Sequence, residues 1–425
     1  MSFQQGLSGL NASSKNLEVI GNNIANANTY GAKSARAEFA DMYANALNGS
    51  GASNIGIGTN LSTVAQQFTQ GNISTTGNSM DLAINGAGFF QLTDGANPPS
   101  YSRNGQFKIS RDGFIVNNDG KKLMGYPADG TGVIQPGLAQ PLQLPTAGIA
   151  PHITTAVKLE MNLDSRNAVT NPGAGVVPQI DFNDPKTYNN ATSMTVYDAK
   201  GQDIALTYYF QKADTDQWNV YVTANGVPVN GVVGDPQPLT SSPIQFQPDG
   251  SAPITDLSAL PISITGTVTN AAGATIVTPL DFNVSLANTT QNGGGFGVTN
   301  MTQNGYAPGQ LSSISIDGSG IINARYSNGQ SKPAGELELA TFRNPQGLQA
   351  LGGNVWANTY ASGDPVVGTP GQGSMGVLQS GALEESNVDL TGELVNMITA
   401  QRVYQANAQT IKTEDQVMQT LVNLR

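Results

Sequence analysis

Apolar residues recur with a heptad period at both ends of the 425-residue chain. The N-terminal stripe comprises Phe3, Leu7, Leu10, Leu17 and Ile24. The C-terminal stripe comprises Leu390, Leu394, Met397, Tyr404, Ala408, Ile411, Met418 and Val422, and only Gln401 and Asp415 interrupt it. A period of 3.5 residues is typical of a helix that buries a narrow stripe against another helix. The stripes therefore predict terminal helices that pair as a coiled coil, with each other or with neighbouring copies, and they mark these residues as a candidate assembly interface.

The commoner origin of such a stripe is an amphipathic helix on a globular core. Pairing of the terminal helices is favoured here because both stripes are long, both lie at chain ends, and the sequence between them has the pattern of β-strands. The N-terminal helix is predicted to run from Phe3 to Ala27 and to end in Asn28–Gly31. Because asparagine and glycine are poor helix formers, we expect this helix to gain its order from packing.

Between the two helices the hydrophobic period changes to two, which predicts a mainly β protein. Turn dipeptides in residues 71–126 predict the tight hairpins of a β-meander, and they are Asn85-Gly86, Asn104-Gly105, Asp112-Gly113 and Asp119-Gly120. Strands of a second β-region are predicted at Met194–Tyr197, Ile204–Phe210 and Trp218–Thr223. Short strands return at Leu311–Ile316, Ile321–Tyr326 and Leu337–Phe342.

Proline- and glycine-rich passages indicate where domains begin and end. Residues 131–151 have the composition of a boundary, and residues 48–60 have that of an extended connector. If the terminal helices associate, the β-blocks beside them also meet, so we predict a nested, discontinuous multi-domain chain. Its domains are a helical domain with an extended connector (1–70 with 381–425), a β-rich middle domain (71–146 with 300–380) and an inserted outer β domain (147–299).

Composition narrows the class of protein. Charged residues make up 12% of the chain, about half the usual share, and the net charge is −11. Neutral polar side chains can be covered by another subunit without the desolvation cost of charges. The acidic balance argues against a nucleic-acid partner, and no apolar run is long enough to predict membrane insertion. The N-terminus lacks the pattern of a cleaved signal peptide, and the chain has no cysteine.

Few residues could carry catalytic chemistry. The single histidine, His152, stands beside Pro151 at the predicted boundary, and neither a nucleophilic triad nor a histidine zinc site can be built around it. The adjacent acidic pairs Glu384-Glu385 and Glu414-Asp415 are interpreted as solvated or helix-dipole charges. We therefore predict no catalytic residue, no cofactor and no metal site, and a protein that is not an enzyme.

Three groups of residues resemble a known family. The run Asn22-Asn23-Ile24-Ala25-Asn26-Ala27-Asn28-Thr29-Tyr30-Gly31 is similar to the N-terminal signature of the bacterial flagellar rod and hook family. The stretches 81–90, 342–348 and 354–356 are similar to its first β-domain. The tail, with 386–390, 393–398 and 404–408, resembles the family signature most specifically. The resemblance marks Asn22, Asn23, Ile24, Ala25, Asn26 and Gly31 as motif residues.

The resemblance implies a structural subunit that polymerises into a tube of the flagellum. A chain with so long a middle insertion fits the members that build the hook, a flexible curved tube acting as a universal joint between rod and filament. The implied location is the flagellar basal body and hook, outside the cell, after type III export without signal cleavage. The implied partners are further copies of the chain, flagellar rod proteins, the hook-cap protein, the hook–filament junction protein and the flagellar export apparatus.

Two other functions stay open at this point. The chain could be another flagellar axial component, such as a distal rod or hook–filament junction protein. It could instead be a secreted β-rich carbohydrate-active enzyme or an adhesin whose terminal helices serve only for oligomerisation. An enzyme of that kind would need two carboxylates at glycosidase spacing within residues 147–299.

Overall fold

Two long helices stand at the ends of a chain that is otherwise built from β-strands. The computed structural model describes residues 2–42, 56, 58–145, 147–173, 175–264, 268–269, 275–276 and 279–423. Helix α1 spans Ser2–Ala25 and helix α2 spans Leu390–Asn423. The mainly β fold with terminal helices is therefore confirmed, and both helices end close to their predicted limits.

The strands follow one another in three stretches of the chain. The first stretch holds β1 (Ala35–Met42), β2 (Gly58–Gln66), β3 (Ile73–Thr75), β4 (Leu82–Asn85), β5 (Phe89–Thr93), β6 (Ser100–Ser102), β7 (Lys108–Ile109), β8 (Ile115–Val116), β9 (Lys122–Pro127) and β10 (Gln140–Pro141). The second holds β11 (Ala156–Asp164), β12 (Asn190–Tyr197), β13 (Asp203–Asp214), β14 (Gln217–Ala224), β15 (Val227–Pro228), β16 (Gly231–Val232), β17 (Asp235–Pro236), β18 (Ile244–Gln245), β19 (Leu260–Ile264), β20 (Val268–Thr269), β21 (Thr275–Ile276), β22 (Leu280–Ser285), β23 (Thr290–Asn292) and β24 (Gly297–Gln303). The third holds β25 (Leu311–Ile316), β26 (Ile321–Tyr326), β27 (Ser331–Leu337), β28 (Leu339–Thr341), β29 (Gln349–Gly352), β30 (Val355–Ala357), β31 (Val366–Gly368), β32 (Val377–Ser380) and β33 (Ala382–Glu384), with a 3-10 turn at Pro345–Gly347.

Two compact units divide these elements. Unit 1 comprises Met1–Thr146, Ser312–Arg325 and Ser331–Arg425, and unit 2 comprises Ala147–Leu311 and Tyr326–Gln330. The first and third stretches of the chain thus build one body with both helices. The finer division into a helical, a middle and an outer domain stays a prediction.

In unit 1, strands from the two halves of the chain complete each other's sheets. Strand β4 pairs with β32, β3 pairs with β33, and β5 pairs with β28 as well as with β6 and β9. The core between them consists of buried aliphatic and aromatic side chains, among them Leu82, Ile84, Phe90, Leu92, Leu337 and Leu339. Because the partners are far apart in sequence, this unit closes only after the third stretch of the chain has joined the first.

The turn dipeptides of unit 1 give two kinds of result. Asp112-Gly113 and Asp119-Gly120 form hairpins, since β7 pairs with β8 and β8 pairs with β9. The meander prediction is wrong at Asn85-Gly86 and Asn104-Gly105, where the strands on either side do not pair with each other. Tertiary pairing overrides the local turn signal, because β4 takes its partner from β32.

Unit 2 contains the strands that were predicted for the second β-region. Strands β12, β13 and β14 form a continuous antiparallel meander, which confirms the predicted strands there. Strand β11 pairs in parallel with β22 and β23 and antiparallel with β24. The alternation along β13 points Leu206, Tyr208 and Phe210 into the core, where Trp218 is fully buried. His152 is exposed, and its ring stacks on Tyr306 with 5.5 Å between ring centroids.

Gly105 is required by a close approach of two backbones. A Cβ atom at this position would overlap the carbonyl oxygen of Leu82, whereas a Cβ atom at Gly130 would meet open space. We therefore expect Gly105→Ala to lower the free energy of unfolding by about 2 kcal/mol or more, as overpacking does. The matched change Gly130→Ala should stay within about 0.5 kcal/mol of the parent chain. Urea unfolding followed by tryptophan fluorescence and circular dichroism measures both, and equal stabilities would contradict the close approach.

Candidate assembly interface

The two terminal helices pack against each other in antiparallel orientation. A Cβ atom on Gly6 would lie 3.1 Å from Cγ1 of Ile411, in the C-terminal half of α2. Further along α1, the Asn23 side-chain amide donates a hydrogen bond of 3.1 Å to Glu393 in the first turn of α2. Because the early residues of α1 contact the late residues of α2, and the reverse, the helices run in opposite directions.

A stripe of small and polar residues forms the contact side of α1. It follows a heptad pattern and consists of Gly6, Gly9, Ser13, Asn16 and Asn23, with the buried apolar Ile20 among them. The α2 side carries Glu393, Ala400 and Asn407 at seven-residue intervals. Since glycine has no Cβ atom, α2 can approach α1 closely at Gly6 and Gly9. At Gly9, a Cβ atom would lie only 2.9 Å from the side-chain amide of Asn407.

The predicted apolar stripes lie mostly outside this helix–helix contact. Seven of their residues are exposed: Phe3, Leu7, Leu390, Leu394, Tyr404, Met418 and Val422. The others, Leu10, Leu17, Ile24, Met397, Ala408 and Ile411, are half-buried, and Ile411 is the one already placed opposite Gly6. Their use as an assembly interface stays a prediction. What sequence reasoning missed is the second heptad seam, which gives little signal in a hydrophobicity pattern because all its α1 residues except Ile20 are small or polar.

A β-hairpin accompanies α1. Strands β1 and β2 pair antiparallel, and Gln5 of α1 donates a hydrogen bond of 2.6 Å to the carbonyl oxygen of Gly56. A groove of about 640 Å³ is lined by α1, α2 and this hairpin. The connector prediction over residues 48–60 is wrong for Gly58–Asn60, which belong to β2, because a backbone partner in β1 orders them. Residues 48–55 and 57 of that prediction lie outside the described residues.

Below the helices, the carboxylate of Glu384 is buried between two cations. Its Oε1 lies 2.6 Å from Nζ of Lys33, and its Oε2 lies 3.2 Å from Nη1 of Arg103. The backbone N–H of Gly71 donates to the same Oε1 at 2.9 Å. The interpretation of Glu384 as a solvated charge is therefore wrong, because two residues distant in sequence neutralise it inside the protein. Glu385 fits that interpretation better, since it is half-buried and its side chain bonds only to exposed Asn72.

The surroundings of this cluster disfavour charge that is not paired. Burial lowers the pKa of Lys33, although the neighbouring Glu384 opposes that effect. Burial likewise lowers the pKa of Arg103, again opposed by Glu384. Arg103 also donates to the carbonyl oxygen of Gly86 at 2.9 Å and lies over the ring of Phe89 at 5.3 Å.

The family-motif residues stand where the N-terminal segment enters this cluster. Asn23 and Gly31 are buried, while Asn22 and Ala25 are exposed and Ile24 and Asn26 are half-buried. The side-chain amide of Asn23 donates to the carbonyl oxygen of Ala35 and accepts the backbone N–H of Ala35, each at 2.8 Å. Gly31 has φ of +69° and donates its N–H to the carbonyl oxygen of Glu384 at 2.8 Å. The motif thus positions the chain between α1 and the ion pairs.

Two other features, a metal site and a membrane-spanning helix, are absent from the described residues. Within those residues, no cluster of three or more histidine or carboxylate side chains could hold a metal ion. None of the described helices is both long enough and apolar enough to span a membrane.

Protein-family models match four parts of the chain. Residues 3–33 match the model described as flagella basal body rod protein, and residues 83–202 match the flagellar hook protein FlgE/F/G D1 domain. Residues 162–306 match the flagellar basal body protein FlaE D2 domain, and residues 379–424 match the flagellar basal body rod FlgEFG protein C-terminal model.

Full-length relatives decide between the members of this group. The flagellar hook protein FlgE of Salmonella typhimurium is 43% identical to the chain and covers 100% of both sequences. That of Escherichia coli is 42% identical, again over 100% of both. The chain belongs to the flagellar hook protein FlgE family. A more distant FlgE, from Brucella suis, is 32% identical over 100% of the chain and 98% of the relative.

The FlgE assignment agrees with the resemblance found in the sequence and favours a hook protein over a rod or junction component, because these relatives match from end to end. A solved structure supports the fold. The flagellar hook protein FlgE2 of Helicobacter pylori covers 73% of the chain and 100% of its own length, with a TM-score of 0.52 at 14% identity.

The small-residue seam makes a prediction that uses two glycines of the same helix. A side chain at Gly9 would collide with Asn407, whereas a Cβ atom at Gly21 would meet nothing within 4 Å. We expect Gly9→Leu to separate α2 from α1 and to increase amide exchange in both helices of the monomer. Gly21→Leu should slow exchange in α1, since leucine favours a helix over glycine by about 1 kcal/mol. Similar exchange in the two variants would rule out the seam.

Proposed function

We propose that the chain is the structural subunit of the flagellar hook and polymerises through the apolar faces of its paired terminal helices. The observation that carries this proposal is that the usual burial of large apolar side chains between paired helices is reversed. The helix pair buries small and polar residues in its own seam and leaves Leu390, Leu394 and Tyr404 exposed. A single chain would gain free energy by the opposite choice, so a neighbouring subunit is the expected cover.

Energetics support a polymer of identical subunits. Fully burying one leucine or methionine side chain contributes about 1.5–3 kcal/mol, and each subunit offers several such side chains on α1 and α2. Helix α1 contains only two charged residues, Lys15 and Glu18, and they pair with each other at 2.8 Å. Contacts between different faces of identical subunits generate a ring when the rotation between subunits closes and a helical polymer when it does not, and a hook requires the second case.

The remaining parts of the proposal follow from the hook role. The tube would be flexible and curved, acting as a universal joint that transmits torque from rod to filament, and unit 2 would supply contacts that change as the tube bends. Its neighbours would be rod proteins, the hook-cap protein and the hook–filament junction protein. The subunit would reach this site through the flagellar export apparatus without signal cleavage, and it would perform no catalysis.

An aspartate in the exposed stripe tests the interface. Leu394 is 46% exposed, so Leu394→Asp should leave the stability of the monomer almost unchanged. In a polymer the same charge would be buried without a partner, at a cost of about 3–5 kcal/mol. This cost corresponds to at least a hundredfold rise in the subunit concentration needed for polymerisation. Seeded growth followed by sedimentation and electron microscopy measures that concentration.

The control introduces the same charge elsewhere on α2. Gln409 is exposed and lies off the apolar stripe, so Gln409→Asp should polymerise at close to the parent concentration. Normal polymerisation of Leu394→Asp would show that this face of α2 is not an interface. Straight tubes from the parent chain would instead favour a rod-like component over the hook.

A further inference from the structure

We propose that Glu384 is a positioning residue: its buried carboxylate fixes α1 and α2 on the β-sheets of unit 1 and keeps them in register. The proposal concerns the monomer and stands whether or not the exposed helix faces assemble. Its consequence for polymerisation rests on the proposed function, because only correctly placed helices can present their apolar faces together.

Four segments of the chain meet at this one side chain. Lys33 lies in the segment that follows α1, and its ammonium group also donates to the carbonyl oxygen of Thr69 at 2.7 Å. Gly71 and Arg103 lie in two further segments, which lead into the sheets of unit 1. Glu384 ends β33 and stands six residues before the start of α2. The connections to both helices are therefore short.

Further polar contacts connect the segment that follows Glu384 with the segment after α1 and with α1 itself. The Asn387 side chain accepts the backbone N–H of Ser34 at 2.7 Å and donates to the carbonyl oxygen of Gln67 at 2.8 Å. One helical turn into α2, Glu393 accepts from Asn23. Positions 384, 387 and 393 thus face positions 33, 34 and 23 in sequence, so a shift at Glu384 would displace the whole helix contact.

Charge explains why a carboxylate is needed at this point. Lys33 and Arg103 are both buried, and two buried cations without a counter-charge are strongly unfavourable. Their counter-charge lies 351 and 281 residues later in the chain. Docking of the N-terminal segment therefore depends on the C-terminal segment being in place, and the two helices are positioned together or not at all.

Hydrogen–deuterium exchange of the monomeric full-length chain tests this inference. Glu384→Gln keeps the shape of the side chain and removes its charge, so amides in α1 and α2 should exchange at least tenfold faster. Strands β12, β13 and β14 of unit 2 should keep the exchange rates of the parent. The matched control is Glu385→Gln, which removes the neighbouring carboxylate and should leave both helices at parent rates.

A second variant separates charge from packing. Adding Lys33→Met to Glu384→Gln removes one of the two cations that lack a counter-charge and restores the net charge of the parent cluster. Helix exchange should then slow again relative to Glu384→Gln alone, even if that single variant also loosens the sheets of unit 1. Parent-like exchange in Glu384→Gln, an equal effect of Glu385→Gln, or faster exchange in the double variant would each overturn the inference. Polymerisation of the same samples is scored separately, so a failure of assembly with protected helices counts against the proposed function alone.

Discussion

Burial of the Glu384 carboxylate depends on residues from opposite ends of the chain. Its cations come from Lys33 and Arg103, and its own strand, β33, pairs with β3. A charge inside a protein is tolerated only when it is paired and hydrogen-bonded. This requirement brings the first and last segments of unit 1 together, between the end of α1 and the start of α2. The nested order of strands and the pairing of the helices share this one constraint.

The helix pair has two heptad faces with different chemistry. The inner face of α1 uses Gly6, Gly9 and Ser13 to let α2 approach closely, while leucine and aromatic residues stand on the outer faces. An inner seam of this kind holds the pair together through close packing and hydrogen bonds and leaves large apolar side chains exposed on the outer faces.

Sequence periodicity was sufficient to place both helices, because a heptad repeat indicates a helix regardless of which partner the helix packs against. It could not say which of two heptad faces is used within the chain. Gly6 and Ser13 lie seven residues apart, as do Gly9, Asn16 and Asn23, so a search for small or polar residues at that spacing would have found the seam. The strands of unit 2 were predictable because β12, β13 and β14 are consecutive neighbours.

Long-range pairing explains what the sequence did not reveal. Asn85-Gly86 has the composition of a hairpin turn, but β4 pairs with β32 from the third stretch of the chain. Glu384 stands beside Glu385 in a pair that is locally indistinguishable from solvated acids, and its partners have no fixed spacing from it. Local patterns report turns and periods, whereas the choice of a distant partner depends on the folded geometry of the whole unit.

The two ends of one chain pair antiparallel, and engineered cysteines test this pairing in a background that has no cysteine. Gly6→Cys combined with Ile411→Cys should form a disulfide within the monomer under mild oxidation, because a disulfide requires Cβ atoms about 4 Å apart and the two positions are in contact. Gly21→Cys combined with Ile411→Cys should not. Non-reducing electrophoresis and peptide mass mapping of dilute protein distinguish the outcomes. An intrachain 6–411 crosslink supports antiparallel pairing within one chain, and its absence, or crosslinking only between chains, would contradict that pairing.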